Sequence, residues 1–189
     1  MSLHLQREIE KLKKHLLSLC TIVEDRVQMA VRSLLNRDAL LAQEVEQGDD
    51  DVDRREIEVE EDCLKILALY QPVAVDLRRT ATVLKINTEL ERIADLAVNI
   101  AERIISLAEH PEFEIPTKLE RMFVRASDMV HEALDAFVDL NVEAAREVCR
   151  RDDEVDDYNR RVIEDLLDTM RSRSDLVEAA LHFFSVYRM

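Results

Sequence analysis

Glycine, proline and aromatic residues are scarce in this sequence, whose 189 residues include one Gly, three Pro and 4% aromatic residues. The single glycine, Gly48, excludes the glycine-rich loops that cradle nucleotide phosphates, because each such loop needs several glycines. A β-rich fold is also disfavoured, since hairpin turns and bulges depend on glycine. The remaining composition, rich in Leu, Ala, Glu, Arg and Asp, predicts an all-α protein.

Cysteines and long apolar runs are scarce as well. The three cysteines form no CxxC pair and no even disulfide framework, which predicts a reduced, cytoplasmic protein. Cys20 and Cys63 lie on apolar stripes and are expected in the core. No N-terminal run resembles a signal peptide. No stretch approaches the roughly 20 apolar residues that a membrane-spanning helix needs.

Acidic side chains are in large excess, because 41 Asp and Glu against 26 Lys and Arg give a net charge of −15. So negative a chain repels nucleic acid and anionic membranes. Carboxylates in excess are natural ligands of hard metal ions. No Ser/His/Asp or Cys/His constellation stands out, so we expect no enzyme activity.

An internal repeat relates the two halves of the chain at a constant offset of 103 residues, without a gap from about 25 to 67. At this offset Asp38 matches Asn141, and both residue types are good helix N-caps. We interpret the chain as two homologous halves of three helices each. Further matches are Asp25 with Asp128, Ala30 with Ala133, Glu44 with Glu147, Asp53 with Asp156 and Glu61 with Glu164.

Apolar residues recur every three or four positions over long segments, which predicts three helices in the first half. They run from about 9 to 34, from Asp38 to Tyr70, and from about 74 to 109, with a break at Pro72 because proline cannot continue a helix. The predicted core stripes of the first and third helices are Ile9, Leu12, Leu16, Leu19, Val23, Val27, Ala30 and Leu34, and Ile86, Leu90, Ile93, Ala97, Ile100, Ile104 and Leu107.

The second half is expected to repeat this arrangement. Thr117, at capping-box spacing from Glu120, is expected to open the fourth helix, Asn141 the fifth and Asp175 the sixth. We therefore predict two tandem antiparallel three-helix bundles, formed by residues 1–110 and 117–189 and joined by a linker at 111–116. Relative to the first repeat, the second bundle lacks the end of its third helix.

A second stripe on two neighbouring helices carries acidic residues. On the helix that ends at Tyr70 it includes Asp49 and Asp53, and on the helix that follows it includes Glu91 and Asp95. One antiparallel register pairs Asp53 with Glu91 and Asp49 with Asp95. If the stripes face each other, four carboxylates converge.

Converging carboxylates repel one another and raise their own pKa values, and a multivalent cation would remove that cost. An all-oxygen ligand set suits Mg²⁺, Ca²⁺, Mn²⁺ or iron better than a tetrahedral zinc site. Glu56 and Asn99 are each placed to add an oxygen ligand. A solvated acidic face, whose carboxylates pair with Arg92 or Arg103, is the alternative interpretation.

The second half repeats only part of this pattern. Asp152 and Asp156 correspond to Asp49 and Asp53. In the matching register, the residues opposite Asp156 and Asp152 would be at positions 191 and 195, which lie past the last residue of this sequence. We therefore expect the second site to be incomplete here.

Other candidate residues carry weaker patterns. Asp128 and His131 have carboxylate–His spacing, but the ferritin-like di-iron scheme needs Glu-x-x-His, which does not occur. His182 is expected to pack in the interior or lie at the surface. Arg78 and Arg79 are candidates for binding an anion or a partner protein, with ion pairing along the helix as the alternative.

Three segments of the third helix and the turn before it form a specific combination: Gln71–Arg78 (QPVAVDLR), Glu89–Asp95 (ELERIAD) and Ala97–Glu102 (AVNIAE). Together they closely resemble the PhoU family of phosphate-transport accessory regulators. The resemblance covers essentially the whole chain, because that family is also a tandem repeat of two three-helix bundles. The sequence departs from the family in lacking a second copy of the LERIAD-type segment.

The resemblance implies a cytoplasmic protein, often a homodimer, with a multinuclear metal cluster, iron foremost and Mn, Mg, Ca or Zn as alternatives. It implies restraint of the phosphate-starvation response by linking the ATPase of a phosphate ABC transporter to a membrane sensor histidine kinase. The other interpretation is an acidic helical metal-binding or purely structural interaction module without a phosphate role. The residues that match the family's E(D)xxxD motifs are Asp49 and Asp53, Glu91 and Asp95, and Asp152 and Asp156.

Overall fold

The chain is helical throughout the part described by the computed structural model, residues 3–108 and 116–186, and no strand forms there. The predicted all-α class is therefore confirmed. None of the helices in these ranges is both long and apolar enough to cross a lipid bilayer. The helices are α1 (Leu3–Asn36), α2 (Ala39–Gln47), α3 (Asp49–Tyr70), α4 (Ala74–Leu107), α5 (Thr117–Val138), α6 (Val142–Ser172) and α7 (Val177–Val186), with a 3₁₀ turn at Ser174–Leu176 before α7.

Two compact units make up the chain. The first contains Met1–Arg26 and Gln47–Asp95, and the second contains Val27–Glu46 and Leu96–Met189. These units group residues by spatial proximity, whereas the predicted bundles group them by repeat. The division at 111–116 therefore stays a prediction, and residues 109–115 lie outside the described residues.

The second predicted helix, Asp38 to Tyr70, is divided in two, so the prediction of one continuous helix was wrong. Gly48 separates α2 from α3 with φ −87° and ψ 0°. Glycine has a low helix propensity because it loses the most backbone entropy, which explains a break at this residue. The repeat counterpart of Gly48 is Arg151, and α6 runs through that position without interruption.

The two predicted N-caps are confirmed. Asp38 Oδ1 accepts hydrogen bonds from the backbone N–H groups of Leu40 at 3.1 Å and Leu41 at 3.0 Å, in the first turn of α2. The Asn141 side chain accepts one from the Ala144 N–H at 3.0 Å and caps α6. Each side chain satisfies backbone donors that the helix itself leaves unpaired.

Helix α5 begins differently from the prediction. Pro116 is the residue at its N-cap, and no side chain caps the first turn. Thr117 already lies inside the helix, so it does not form the predicted capping box with Glu120. The backbone N–H groups of Leu119 and Glu120 are instead satisfied by the Pro116 carbonyl, at 2.8 and 3.2 Å.

The core of the first unit follows the predicted stripes. On α1, Leu12, Leu16, Leu19 and Val23 are buried, as predicted from their spacing. Ion pairs join α1 to α3 at the edge of this core: Lys11 Nζ lies 2.8 Å from Asp62 Oδ1, and Lys65 Nζ lies 2.8 Å from Glu8 Oε2. Buried apolar side chains of the other two helices are Val52, Val59, Cys63 and Ile66 on α3, and Leu90 and Ala94 on α4.

The core of the second unit is one apolar cluster. It includes the predicted core residues Ala30, Leu34, Ala97, Ile104 and Leu107. Helix α5 packs along α6, and α7 packs against α6. The members that come from these three helices and the 3₁₀ turn are Leu119, Met122, Phe123, Val162, Leu166, Leu176, Ala179 and Ala180.

Candidate metal centre

A buried amide fixes the register between α3 and α4. Asn87, which is 1% exposed, donates from Nδ2 to the backbone oxygen of Glu56 at 3.0 Å and to Glu56 Oε1 at 2.7 Å. The predicted register placed Glu56 opposite Thr88, so the structure agrees with it to within one residue. This pairing brings the acidic segment of α3 level with that of α4.

Glu91 is a member of the predicted carboxylate set on α4. Burial raises the pKa of the Glu91 carboxyl above its ordinary range. The charge of Asp95 and a hydrogen bond with Asp95 raise it further, as do the charges of Glu56 and Asp53. Glu91 is therefore within electrostatic range of carboxylates on both helices.

Asp49 joins the same set from the first turn of α3. Burial raises the pKa of its carboxyl, and the charges of Asp53, Asp95 and Asp50 act in the same direction. The Arg26 guanidinium of α1 partly offsets this rise. The charges of Asp53 on α3 and Asp95 on α4 thus act on both Asp49 and Glu91.

Glu56 belongs to the edge of this set. Burial raises its pKa, and the charges of Glu60 and Asp53 raise it further. Its carboxylate already accepts the hydrogen bond of Asn87 described above. Asn99, the other additional ligand predicted, follows Asp95 by four residues on α4 and belongs to the second unit.

The donor chemistry of the set fits a hard cation, because its atoms are carboxylate oxygens. Burial and the neighbouring carboxylates raise the pKa values of Asp49 and Glu91. The side chains are not gathered around one point, however. Among residues 3–108 and 116–186, no group of three or more His, Cys, Asp or Glu side chains is placed to hold one ion. The metal site at Asp49, Asp53, Glu91 and Asp95 stays a prediction.

The second acidic motif lies in a different environment. Asp152 and Asp156 are exposed on α6. Nearby carboxylates form ion pairs within the helix: Asp157 pairs with Arg160 and lies 3.4 Å from Arg161. The prediction of an incomplete second site stays a prediction.

The weaker candidates are placed as follows. His131 Nε2 lies 3.5 Å from Asp135 Oδ2. Asp135 is one turn after His131 on α5, whereas the Asp128 of the predicted motif is one turn before it. Arg78 and Arg79 are both exposed on the first turns of α4. The side chain of His182 lies outside the described residues.

Sequence reasoning missed two residues that shape the site, Asn87 and Arg26. Asn87 could have been found, because it precedes Leu90 and Ala94 by three and seven residues and so lies on the buried stripe of α4. A polar residue on such a stripe needs a hydrogen-bond partner. No sequence pattern pointed to Arg26, because its effect on Asp49 depends on how α1 packs against α3.

Comparison with known proteins identifies relatives over nearly the whole chain. The PhoU domain family model matches residues 16–104 and 119–189. The phosphate-specific transport system accessory protein PhoU homolog of Aquifex aeolicus is 32% identical over 182 residues, covering 96% of this chain and 82% of that protein. The Pseudomonas aeruginosa protein of the same description is 34% identical, covering 96% of this chain and 75% of its own length.

Solved structures agree with the sequence relatives. The crystal structure of PhoU from Pseudomonas aeruginosa superposes with a TM-score of 0.91 at 33% identity, covering 97% of this chain and 88% of that chain. The crystal structure of the phosphate transport system regulatory protein PhoU from Streptococcus pneumoniae gives a TM-score of 0.88 at 20% identity. The match covers 97% of this chain and 86% of that chain. At that identity the second match shows a shared fold.

Proposed function

The chain belongs to the PhoU domain family, and from that premise we propose that it regulates phosphate uptake and the response to phosphate starvation. The observation that carries the proposal is family membership over both repeats. Curated relatives that are about a third identical are named accessory proteins of the phosphate-specific transport system. Those names describe an accessory role in phosphate transport.

In this proposal the protein is a cytoplasmic homodimer that acts as an adaptor between two other proteins. Its partners are the ATPase of a phosphate ABC transporter and a sensor histidine kinase. The surface that supports partner binding is the end of the first unit around the α3–α4 turn. Arg78 and Arg79 are exposed there, next to large apolar side chains that are 45–76% exposed: Leu69, Val73, Val75 and Leu77.

We assign metal binding to Asp49, Asp53, Glu91 and Asp95, with Glu56 as an additional oxygen ligand. Their mutual repulsion supports the assignment, because a multivalent cation would offset it. Iron is the first choice of metal, and manganese and magnesium suit the same oxygen ligands. The metal would supply a charged, fixed surface for docking or sensing.

A module without a phosphate role is the second candidate. Asp53 and Asp95 are both exposed, as expected of a solvated acidic face. Such a protein could bind metal or a helical partner without any connection to phosphate.

Complementation separates these two functions. The chain is expressed in a bacterium whose own PhoU protein has been deleted, and a phosphate-starvation reporter is measured at high phosphate. We expect the parent chain to restore repression of the reporter, and Glu91→Gln/Asp95→Asn to fail. The control Asp139→Asn/Glu143→Gln removes two carboxylate charges at exposed positions, the C-cap of α5 and the first turn of α6, and should restore repression. A parent chain that is folded and expressed, yet leaves the reporter active, would favour the module without a phosphate role.

A further inference from the structure

Two ion pairs place the start of α1 beside the α3–α4 turn. Lys65 Nζ, near the end of α3, lies 2.8 Å from Glu8 Oε2, and Lys11 Nζ lies 2.8 Å from Asp62 Oδ1. The later residue of α1 thus pairs with the earlier residue of α3, so the two helices run antiparallel here. The residues of α1 before Glu8 therefore lie level with the residues of α3 after Lys65, at the end of the first unit that carries the turn.

The first unit carries its charge in two separate zones. Residues 3–14, 62–70 and 74–81, which lie toward the α3–α4 turn, contain seven Lys and Arg against four Asp and Glu. Residues 15–26, 49–61 and 82–95 of the same unit contain thirteen Asp and Glu against five Lys and Arg. We call the first zone the basic end. It is a cationic surface on a chain whose net charge is −15.

Most cations of the basic end are not used inside the protein. Lys11 and Lys65 pair with carboxylates of the same zone, as described above. The other five are exposed and form no ion pair with any residue in the ranges 3–108 and 116–186. A cation without an internal carboxylate keeps its charge available to an anionic partner. These five are Arg7, Lys13 and Lys14 on α1, and Arg78 and Arg79 on α4.

Exposed apolar side chains lie among these cations. Leu3, Leu69, Val73 and Val75 are 60–76% exposed. Large apolar side chains that are exposed together mark a surface that another molecule covers. An open groove along the first turns of α1 adds concave surface to this end, and its lining combines an apolar side chain with cations: Leu3, Gln6, Arg7, Glu10, Lys11 and Lys14.

We propose that the basic end docks a segment of a partner protein in which apolar side chains are flanked by Asp and Glu. The inference rests on the proposed function, which takes this end as the partner surface, and it adds the chemistry of the partner. The apolar side chains of the segment would cover Leu69, Val73 and Val75. Its carboxylates would pair with the cations of α1 and α4 that have no internal partner.

Charge complementarity favours an acidic protein segment over a lipid surface. The cations of the basic end attract an acidic segment, while the carboxylates of the other zone repel it, so the segment is directed to one end of the unit. An anionic bilayer is a large surface that also meets the field of the whole chain, whose net charge is −15. We therefore assign the basic end to a protein segment.

Two designed peptides test this chemistry. Both are labelled helical peptides of about 18 residues, or five turns, with the same leucine face, flanked by Glu in one and by Gln in the other. Fluorescence anisotropy measures their binding to the full chain below about 0.1 M salt, where the Debye length is about 10 Å or more. We expect the Glu peptide to bind about tenfold more tightly than the Gln peptide, and added salt to reduce the difference.

A pair of double variants locates the charge contribution. Arg78→Gln/Arg79→Gln removes two cations of the basic end and should weaken binding of the Glu peptide about tenfold. The control Arg121→Gln/Arg146→Gln removes two exposed cations of the second unit, from α5 and α6. The control should bind the Glu peptide as the parent does.

A pair of single variants locates the apolar contribution. Val73→Ser replaces a side chain that is 76% exposed at the basic end, and should weaken binding of both peptides about threefold. The control Leu40→Ser replaces a side chain that is 74% exposed on α2 and should leave binding unchanged. Both positions are exposed, so neither substitution should unfold the chain.

Three results would overturn the inference. The first is a parent chain that does not bind the Glu peptide or binds the two peptides equally. The second is a control that weakens binding as much as its matched variant at the basic end. The third comes from sedimentation with phosphatidylglycerol vesicles: binding of the parent that Arg78→Gln/Arg79→Gln abolishes would assign the basic end to a lipid surface.

The reporter assay separates the failure of this inference from the failure of the proposed function. If the parent restores repression but does not bind the Glu peptide, the docking chemistry is wrong and the role in phosphate regulation stands. If the Glu peptide binds at the basic end but the parent leaves the reporter active, the docking chemistry stands and the role in phosphate regulation is wrong.

Discussion

The side-chain amide of Asn87 donates to the backbone oxygen of Glu56 at 3.0 Å and to its carboxylate at 2.7 Å. Asn87 lies one turn before Glu91 on α4, so this contact sets which carboxylates of α3 and α4 face each other. One buried amide thereby controls the geometry of the candidate metal centre.

Replacement of this amide should destabilise the first unit. Asn87→Ala removes both hydrogen bonds inside the protein, and we expect a loss of about 1–3 kcal/mol in the free energy of unfolding. The measurement is a urea titration followed by circular dichroism. Thr88→Ala, at the exposed neighbouring position, is the control and should change stability by less than about 0.5 kcal/mol. Equal stability of Asn87→Ala and the parent would contradict the assigned register.

The raised pKa of Glu91 predicts a pH-dependent difference between the parent and Glu91→Gln. A carboxyl whose pKa is higher in the folded than in the unfolded chain favours folding while it is protonated, and this contribution is lost as pH rises through the raised pKa. Below the ordinary glutamate pKa of about 4.3 the two metal-free proteins should be equally stable. Above the raised value, Glu91→Gln should be the more stable protein. Thermal melts from acid to neutral pH in a chelating buffer measure this, and a difference that is constant across the range would contradict it.

The two helix N-caps should contribute similar amounts of stability. Asp38→Ala and Asn141→Ala each remove a side chain that accepts backbone N–H bonds, and each should cost about 1 kcal/mol. Replacement of Asp38 or Asn141 by glycine should lower the free energy of unfolding by only a few tenths of a kcal/mol. Urea titrations of the four single variants test this. An alanine variant as stable as the parent would show that the cap at that helix contributes nothing.

The three thiols should differ sharply in reactivity. Burial raises the pKa of the Cys20 thiol to about 11 and that of the Cys63 thiol to about 12, whereas Cys149 is exposed. Because the thiolate is the reactive form, one thiol should react with a disulfide reagent in the folded protein and all three after denaturation. Cys149→Ser should abolish the reaction of the folded protein. Rapid labelling of Cys20 or Cys63 in that variant would contradict the buried placement.

Much of the fold could be predicted because it depends on local patterns. The three- and four-residue spacing of Leu12, Leu16 and Leu19 identifies a buried face in any amphipathic helix. The caps at Asp38 and Asn141 involve only residues of the next turn. The break at Gly48 was missed, because apolar spacing continues across it and hides the low helix propensity of the glycine.

The candidate site could be predicted only in part. The register of Asp53 with Glu91 follows from two matching stripes on adjacent helices, and the contact of Asn87 with Glu56 agrees with that register to within one residue. The effect of Arg26 on Asp49 depends on how α1 packs against α3, which helical periodicity does not encode. Whether the four carboxylates gather around one ion depends on side-chain positions that sequence spacing leaves open.

The metal content of the purified protein tests the central claim most directly. The parent chain and Glu91→Gln/Asp95→Asn are each incubated with iron, manganese and magnesium salts, desalted, and measured by elemental analysis. The account predicts that the parent retains iron or manganese in stoichiometric amount and that the variant loses it while remaining folded. A parent without bound metal, or a variant that binds as much as the parent, would contradict the assignment of a metal centre to α3 and α4.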